Sequence, residues 1–275
     1  MSNRAGRSTI PVDLSNPGQF FACCGLFELA DRKWRLASVV AYFEPGLFVL
    51  EADDPGCPIA AVLNEFAGVR CAQLDPQDNG SSPLELGLPF ALRLDWWCRP
   101  KKGSIEVGGS EELKTWAGKQ MGPVIFQLTK DSSARAAQAK SPLDYSAAIY
   151  DNNGAERKDK TISPFYFDCR REGTSLDLGF SPDKQDMSVI VYPAVESLAL
   201  VGLQRFRPFL DRTAHPRSFV YRAWSKPIPI STAAVSVSGA VGVHSCGCFR
   251  FTTPSRGGEY LKMFSRAKRE RSTNV

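Results

Sequence analysis

The sequence lacks long apolar runs, and none of its apolar segments approaches the roughly 20 residues with which a helix crosses a bilayer. Its N-terminus leads into Pro11 and Asp13 rather than into the apolar core of a signal peptide. These two absences argue against an integral membrane protein or a secreted one. They predict a cytoplasmic protein that has no membrane partner.

Histidine is scarce, because the chain has only His215 and His244. The sequence contains neither the Gly-x-x-x-x-Gly-Lys-Ser/Thr loop of nucleotide-binding proteins nor the Gly-x-Ser-x-Gly motif of hydrolases. We therefore expect a protein without catalytic residues. One alternative stays open, namely a metal-independent ribonuclease with His215, beside Tyr221, or His244 as its general base.

The eight cysteines form no regular framework. Cys23 and Cys24 are adjacent within an apolar helical pattern, which suits buried free thiols in a reducing compartment better than disulfides. His244, Cys246 and Cys248 offer three zinc ligands, whereas a closed structural site needs four. The sequence therefore predicts no metal and no cofactor.

Positive charge is concentrated toward the C-terminal end of the chain. The net charge is +5, although residues 1–70 carry more acidic than basic residues. Between Arg205 and Lys226 the only acidic residue is Asp211. The basic residues of this stretch and of the tail are Arg205, Arg207, Arg212, Arg217, Arg222, Lys226, Arg256, Lys262, Arg266, Lys268, Arg269 and Arg271. Such a distribution predicts a phosphate-binding surface, with a solvated face and a frayed basic tail as the alternative.

The first third of the chain has the pattern strand-helix-strand-strand-helix-strand. The predicted elements are a strand at Thr9–Asp13, a helix that begins at Asn16-Pro17, strands at Val39–Phe43 and Leu47–Glu51, a helix over Ile59–Phe66 and a strand at Phe90–Trp96. This is the order of a ferredoxin-like unit, whose four strands share one antiparallel sheet. The unit is acidic and its third strand offers only Phe48 for stacking, so we expect a scaffold rather than an RNA-recognition sheet.

We predict an α+β protein with three segments. Residues 1–98 form the ferredoxin-like βαββαβ unit (of the RRM or RAMP type), 99–163 a helical and loop insertion, and 164–275 a second α+β unit with a basic tail. The insertion has a predicted helix through Leu113–Met121 and a further helix or coil from Val124 to about Ala139. The third segment has predicted strands at Phe165–Cys169, Leu176–Phe180, Phe219–Trp224 and Cys248–Thr252, and a helix from Pro193 to Phe206. These pieces allow a second, distorted ferredoxin-like unit.

Two patterns predict contacts to nucleic acid. Arginine lies close to aromatic residues over 165–171 and 206–209, which suits a single-stranded backbone with stacked bases. Glycines at 239, 242 and 247 precede a strand and would let the backbone approach phosphates. The predicted binding residues are Lys101, Lys102, Lys114, Lys119, Arg170, Arg171, Arg205, Arg207, Arg217, Arg222, Gly239 and Gly242.

Five segments, taken in order, carry a family resemblance. They are Asn16-Pro17-Gly18-Gln19-Phe20-Phe21-Ala22-Cys23-Cys24-Gly25-Leu26, Leu94-Asp95-Trp96-Trp97, Leu113 to Gln120, Phe165-Tyr166-Phe167-Asp168, and Tyr192-Pro193-Ala194-Val195-Glu196 through Gln204-Arg205-Phe206-Arg207-Pro208. The ordered set resembles a small family of proteins encoded with type I-U (also called I-G) CRISPR systems. At 275 residues the chain is short for a typical large subunit of such systems.

The resemblance implies a subunit of a Cascade-type complex that contains a guide RNA, other Cascade subunits, a target DNA and a recruited helicase-nuclease. It also implies either a small counterpart of the large subunit or a protein of the repeat-associated RNA-binding (RAMP) superfamily. We expect a non-catalytic subunit that binds nucleic acid. The alternatives are a guide-RNA-processing ribonuclease of the RAMP type and a purely structural adaptor.

Overall fold

The computed structural model shows an α+β protein with small antiparallel sheets, as the sequence predicts. The residues it describes are 6–35, 38–53, 57–75, 82–101, 104–113, 121–149, 164–170, 190–241, 244–253 and 263–270. Within these ranges no helix is long and apolar enough to cross a membrane.

The first five predicted elements are confirmed. They are β1 (Gly6–Pro11), α1 (Pro17–Lys33), β2 (Val39–Glu44), β3 (Leu47–Ala52) and α2 (Pro58–Gly68). The strands form one antiparallel sheet in the order β1–β3–β2. Helix α1 begins where the sequence predicts, because the Asn16 side chain accepts the free backbone N–H groups of Gly18 and Gln19.

The predicted fourth strand, Phe90–Trp96, is found at β6 but in a different sheet, so the expectation of one four-stranded sheet is corrected. The second sheet has the order β4–β5–β6, with β4 at Cys71–Gln73, β5 at Leu84–Leu86 and β6 at Leu92–Leu94. The β4–β5 hairpin supplies β6 with a partner close in sequence, and local pairing needs little loop-closure entropy. Arg32 at the end of α1 also donates to the carbonyls of Phe90 and Ala91, which fixes the segment before β6.

The middle of the chain adds a hairpin and a helix. Its elements are β7 (Cys98–Lys101), β8 (Ser104–Val107), α3 (Gly122–Ala136), a short 3-10 turn (Pro142–Asp144) and β9 (Ala147–Ala148), which pairs with β10 (Ile190–Val191). Of the helix or coil predicted from Val124, helix α3 shows the helical alternative. The helix predicted over Leu113–Met121 falls mostly on residues 114–120, which lie outside the described residues, and neither Leu113 nor Met121 is helical.

The last third forms a four-stranded antiparallel sheet, here called the C-terminal sheet, in the order β11–β12–β13–β14. Its elements and the helices around it are α4 (Pro193–Arg205), β11 (Phe209–Leu210), β12 (Ser218–Trp224), α5 (Ile230–Val237), β13 (Ser245–Thr252) and β14 (Lys268–Glu270). The helix from Pro193 and the strands near 219–224 and 248–252 are thereby confirmed. The predicted strand Leu176–Phe180 lies outside the described residues.

Residues 165–169 are not a strand, which corrects another prediction. The N–H groups of Phe167 and Asp168 are taken by the two carboxylate oxygens of Glu196, at 3.2 Å each, rather than by a neighbouring strand. Tyr166 also has a positive φ of 67°, and this conformation interrupts an extended chain.

A buried polar cluster joins the start of α1, the segment 165–168 and the first turn of α4. The Asn16 amide donates to the Asp168 carboxylate at 2.8 Å, and Glu196 from α4 holds the backbone before Asp168. Asn16, Asp168 and Glu196 are at most 2% exposed. Buried polar groups are stable only when they have hydrogen-bond partners, so this cluster fixes how the three segments meet.

Helices α1 and α4 cross with their backbones in contact, at two glycines. A Cβ atom on Gly202 would lie 2.1 Å from the carbonyl oxygen of Phe21, and one on Gly25 would lie 2.1 Å from that of Leu198. Around this crossing, the described parts of residues 1–98, 99–163 and 164–275 contribute to one hydrophobic core. The division into three segments itself stays a prediction.

All eight cysteines are free thiols, as predicted. Cys23, Cys24 and Cys98 are buried, whereas Cys57 is exposed and the others are half-buried. Burial raises the pKa of the Cys71 thiol and that of the Cys169 thiol to about 11. The expectation that the thiols are buried therefore holds for only part of the set.

Candidate nucleic-acid interface

The C-terminal sheet has an aromatic inner face. Its inner residues are Phe219, Tyr221, Phe249 and Phe251, all at most 6% exposed. They pack on α1, where the ring centroids of Tyr221 and Phe20 are 4.4 Å apart. Because side chains alternate along a strand, the residues between them point to the other face. That outer face carries the polar and charged side chains.

The strand register sets out two cross-strand rows on the outer face. The first row contains Phe209, Val220, Arg250 and Lys268, and the second contains Arg222, Cys248 and Glu270. The first row crosses all four strands, so it spans about 14 Å at the usual spacing of neighbouring strands. Phe209, at one end of this row, is 55% exposed.

Arg250 occupies the centre of the outer face. Its guanidinium lies 2.7 Å from Glu270 and 2.8 Å from Asp211, and it also donates to the Ser218 hydroxyl at 3.0 Å. The Thr213 hydroxyl and then Arg250 lower the pKa of the Asp211 carboxyl to about 2. Arg250 is thus held in a fixed orientation, while its side chain keeps 25% exposure.

Arg222 and Gly239, both predicted binding residues, are brought together beside this face. The guanidinium of Arg222 donates to the carbonyl of Gly239 at 3.3 Å. Gly239 has a φ of 80°, and a Cβ there would lie 2.8 Å from the guanidinium. The left-handed φ favours glycine at this turn after α5, whereas the contact with the flexible end of the Arg222 side chain does not by itself require it.

The described residues in and around the C-terminal sheet include an excess of basic side chains. Within residues 205–241, 244–253 and 263–270 there are ten basic and two acidic residues. The basic residues are Arg205, Arg207, Arg212, Arg217, Arg222, Lys226, Arg250, Arg266, Lys268 and Arg269, and the acidic ones are Asp211 and Glu270. Several of the arginines donate to neutral carbonyls: Arg212 to Ile105, Arg222 to Gly239 and Arg269 to Cys246. Such contacts orient a guanidinium without neutralising it.

Two other predicted binding residues have strong partners within the chain. Arg205 lies 2.5 Å from Glu28, a residue only 1% exposed. Arg170 lies 2.7 Å from the buried Asp168 and stacks on the Tyr192 ring at 3.8 Å. A buried carboxylate without its cation strongly destabilises the folded state. Arg205 and Arg170 therefore contribute to the stability of the fold.

Arg207 and Lys101 lie near the β7–β8 hairpin. Lys101 ends β7, and Arg207 lies beside Gly108, just past the end of β8. Burial raises the pKa of the Asp95 carboxyl, and the positive charges of Arg93 and Arg207 lower it by a smaller amount. Among the described residues, Asp95 Oδ1 and Arg207 Nε are buried without a hydrogen-bond partner.

The remaining predicted binding residues divide into two groups. Arg217 immediately precedes β12, where its backbone N–H donates to His215 Nδ1 at 3.1 Å. Five others lie outside the described residues, and their role stays a prediction: Lys102, Lys114, Lys119, Arg171 and Gly242.

The geometry gives no support to a general base next to Tyr221. The Tyr221 hydroxyl donates to the Leu14 carbonyl at 2.5 Å in the core, and burial raises its pKa well above the ordinary value. His215 lies instead in an exposed turn before β12. Across the described part of the chain, no group of three His, Cys, Asp or Glu side chains is placed to hold a metal ion.

Comparison with known proteins gives no relatives: no family model, no curated protein and no solved structure matches the chain. The site is therefore defined by its own geometry. Sequence reasoning missed Phe209, Arg250 and Lys268 as members of one surface. The alternating pattern of Phe249-Arg250-Phe251 could have placed Arg250 on an outer face, but the pairing of β11 and β14 with it could not be deduced locally.

Proposed function

We propose that this chain is a non-catalytic nucleic-acid-binding subunit of a type I CRISPR interference complex of the Cascade kind, acting in the cytoplasm in antiviral defence. Its partners in this proposal are the guide RNA, the target DNA, the other Cascade subunits and the recruited helicase-nuclease. The family resemblance suggests the complex. The observation that supports the binding role is the excess of ten basic over two acidic residues in the described part of 205–270, which contains the C-terminal sheet.

The first sheet suits a scaffold role in this proposal. The element order β1–α1–β2–β3–α2 and the strand order β1–β3–β2 support a partial ferredoxin-like unit of the RAMP type in this proposal. Its outer face presents Glu44 and Glu51, which pair with Arg7 at 2.9 and 3.7 Å. An acidic face repels phosphates, so the nucleic acid is assigned to the C-terminal sheet.

The test is a binding series by fluorescence polarisation over increasing salt, using purified protein with labelled RNA and DNA. The variant Lys268→Glu/Arg269→Glu reverses two exposed charges on β14. The matched control, Arg135→Glu/Lys140→Glu, makes the same change in charge at exposed positions in and just after α3. We expect the β14 variant to lose affinity at least about tenfold and its salt slope to fall by about 1.4, which is two phosphate contacts on a single strand.

If both variants lose the same affinity for nucleic acid, the loss comes from the change in net charge alone. That result would contradict the assignment of binding to the C-terminal sheet. If wild-type protein shows no salt-dependent binding but still co-purifies with co-expressed Cascade subunits after nuclease treatment, the chain is a structural adaptor. Discrete cleavage of repeat RNA that is lost in His215→Ala or His244→Ala would establish the ribonuclease alternative.

A further inference from the structure

The first sheet has one edge that the chain itself covers and one that it leaves free. On β2, the backbone groups of Ala41 exchange hydrogen bonds with those of Ile228 at 3.4 and 3.5 Å. On β1, at the opposite edge, every strand pairing in the described part of the chain is with β3. With six residues, β1 is longer than any other described edge strand without a partner on its outer side.

The strand register identifies the backbone groups of β1 that point away from the sheet. Val12 N–H donates to the Gly46 carbonyl at 2.9 Å, and hydrogen-bonded pairs alternate along an antiparallel ladder. The even-numbered residues of β1 therefore bond to β3, and the backbone groups of Arg7, Thr9 and Pro11 point outward. Proline has no N–H, so the outward donors are those of Arg7 and Thr9, and no described group accepts from them.

This edge has little of the protection that native edge strands usually carry, which consists of bulges, charged side chains or proline. The register of β1 runs without a bulge. The Arg7 guanidinium is held over the sheet, 2.9 Å from Glu44 and 3.7 Å from Glu51. Only Pro11, at the last position of the strand, removes a donor. The rest of β1 is a template on which another strand can pair.

The segment predicted to extend this sheet does not do so. A complete ferredoxin-like unit has a fourth strand in the same antiparallel sheet, whereas β6 lies in the second sheet. Because the edge of β2 is already bonded to Ile228, the position that remains for a fourth strand is beside β1.

The size of the edge decides between two kinds of occupant. A strand of six residues is about 20 Å long, and pairing along it buries on the order of 500 Å². Two proteins that meet freely in solution need about 1,200 Å² or more for a stable interface, so this edge alone does not hold two copies of the chain together. A segment of a protein that is already bound in the same complex needs less, because tethering raises its effective concentration.

We propose that the free edge of β1 binds an extended polypeptide segment of a neighbouring subunit, which becomes the fourth strand of the first sheet. The segment accepts hydrogen bonds from the N–H groups of Arg7 and Thr9 and donates to the outward carbonyls, as in other cases of strand addition. Its side chains alternate between apolar ones, on the side of the buried Ile10, and polar ones beside the exposed Thr9. The inference rests on the proposed function and adds to it the surface by which the chain docks in the complex.

The experiment measures amide hydrogen exchange of the chain alone and in the complex with its co-expressed Cascade subunits. We expect the amides of Arg7 and Thr9 to exchange at least about tenfold more slowly in the complex, since each gains a hydrogen bond. The amide of Ala41, which is already bonded to Ile228, serves as the internal control and keeps its rate.

Two variants of one residue separate the backbone from the side chain. Thr9→Pro removes the outward N–H without removing a bond to β3, and proline is tolerated at such an edge position. Thr9→Val is the matched control, because it keeps the N–H and the branched side chain. In biolayer interferometry on the complex assembled without this chain, we expect Thr9→Pro to bind about fivefold or more weakly. Thr9→Val stays within about twofold of wild type, and circular dichroism checks that both variants are folded.

Unchanged exchange at Arg7 and Thr9 in a complex that forms would overturn the docking site and leave the proposed function in place. Equal affinities of the two variants would overturn it as well, and if Thr9→Pro does not fold, the exchange of the wild-type protein decides alone. Protection of these amides that rises with concentration in the isolated chain would assign the edge to a second copy and contradict the proposal. A chain that enters no complex with these subunits would contradict the proposed function itself.

Discussion

The crossing of α1 and α4 predicts a large cost for one additional methyl group at Gly202. A Cβ atom there would lie 2.1 Å from the Phe21 carbonyl oxygen and 2.8 Å from the Gly25 nitrogen. Carbon–oxygen contacts of this kind normally measure about 3.3 Å or more. The helices would therefore have to separate by about 1.2 Å, since backbone atoms cannot rotate away as a side chain can.

Two opposing effects determine the change in stability of Gly202→Ala. Overpacking a close-packed core costs about 1–3 kcal/mol, and a backbone clash places Gly202→Ala at the upper end of that range. Alanine regains up to about 1 kcal/mol over glycine within a helix. The net destabilisation is about 2 kcal/mol, which corresponds to a Tm lower by about 4–8 °C in a chain of this size.

The assay is thermal and urea unfolding of Gly202→Ala beside Gly68→Ala. Gly68 is the last residue of α2, and a Cβ added there meets nothing within 4 Å. We expect the Gly68 variant to unfold at the wild-type temperature or slightly above it. A Gly202 variant as stable as the Gly68 variant would refute the inferred backbone contact between α1 and α4.

Three further predictions concern polar groups. Replacing Asn16 by Ala removes a helix cap and one hydrogen-bond donor to the buried Asp168, which keeps its ion pair with Arg170. Urea unfolding should therefore show a loss of about 2 kcal/mol, with Ser15→Ala nearer neutral. Glu28→Gln removes the charge between Arg32 and Arg205, both of which keep access to water, so the cost measured in the same way is about 1–2 kcal/mol. Asp211 has a lowered folded pKa of about 2, so the stability it contributes is present above about pH 4 and is lost as the pH falls toward 2. Asp211→Asn should flatten the pH dependence of unfolding in that window, and an unchanged profile would contradict the role of Asp211.

The local part of the fold could be predicted because its signals are local. The start of α1 at Asn16-Pro17, the two neighbouring strands β2 and β3 and the apolar pattern of α2 each depend on signals within a few residues, and those elements were found where expected. The sheet of β6 could not be predicted, because its partners are two three-residue strands with too little pattern to recognise.

The basic character of the candidate site could be predicted from the sequence, but the residues that form it could not. The excess of basic residues after residue 205 predicted a basic surface in that part of the chain. Arg222 and Gly239, both from that part, lie next to each other in the structure. Arg170 and Arg205 have the same sequence signal, yet they pair with Asp168 and Glu28. The partner of Arg205 lies 177 residues away in sequence, so no local pattern could identify it. Asp168 lies only two residues from Arg170, but its burial, which makes the pair structural, depends on distant segments.

The most direct test of the C-terminal sheet as the nucleic-acid surface is ultraviolet crosslinking of the bound complex followed by peptide mass spectrometry. We expect crosslinks to fall in the peptides that contain β11, β12, β13 and β14, and to disappear in high salt together with binding. Crosslinks confined to the first sheet, β1–β3, would contradict the assignment of nucleic acid to the C-terminal sheet.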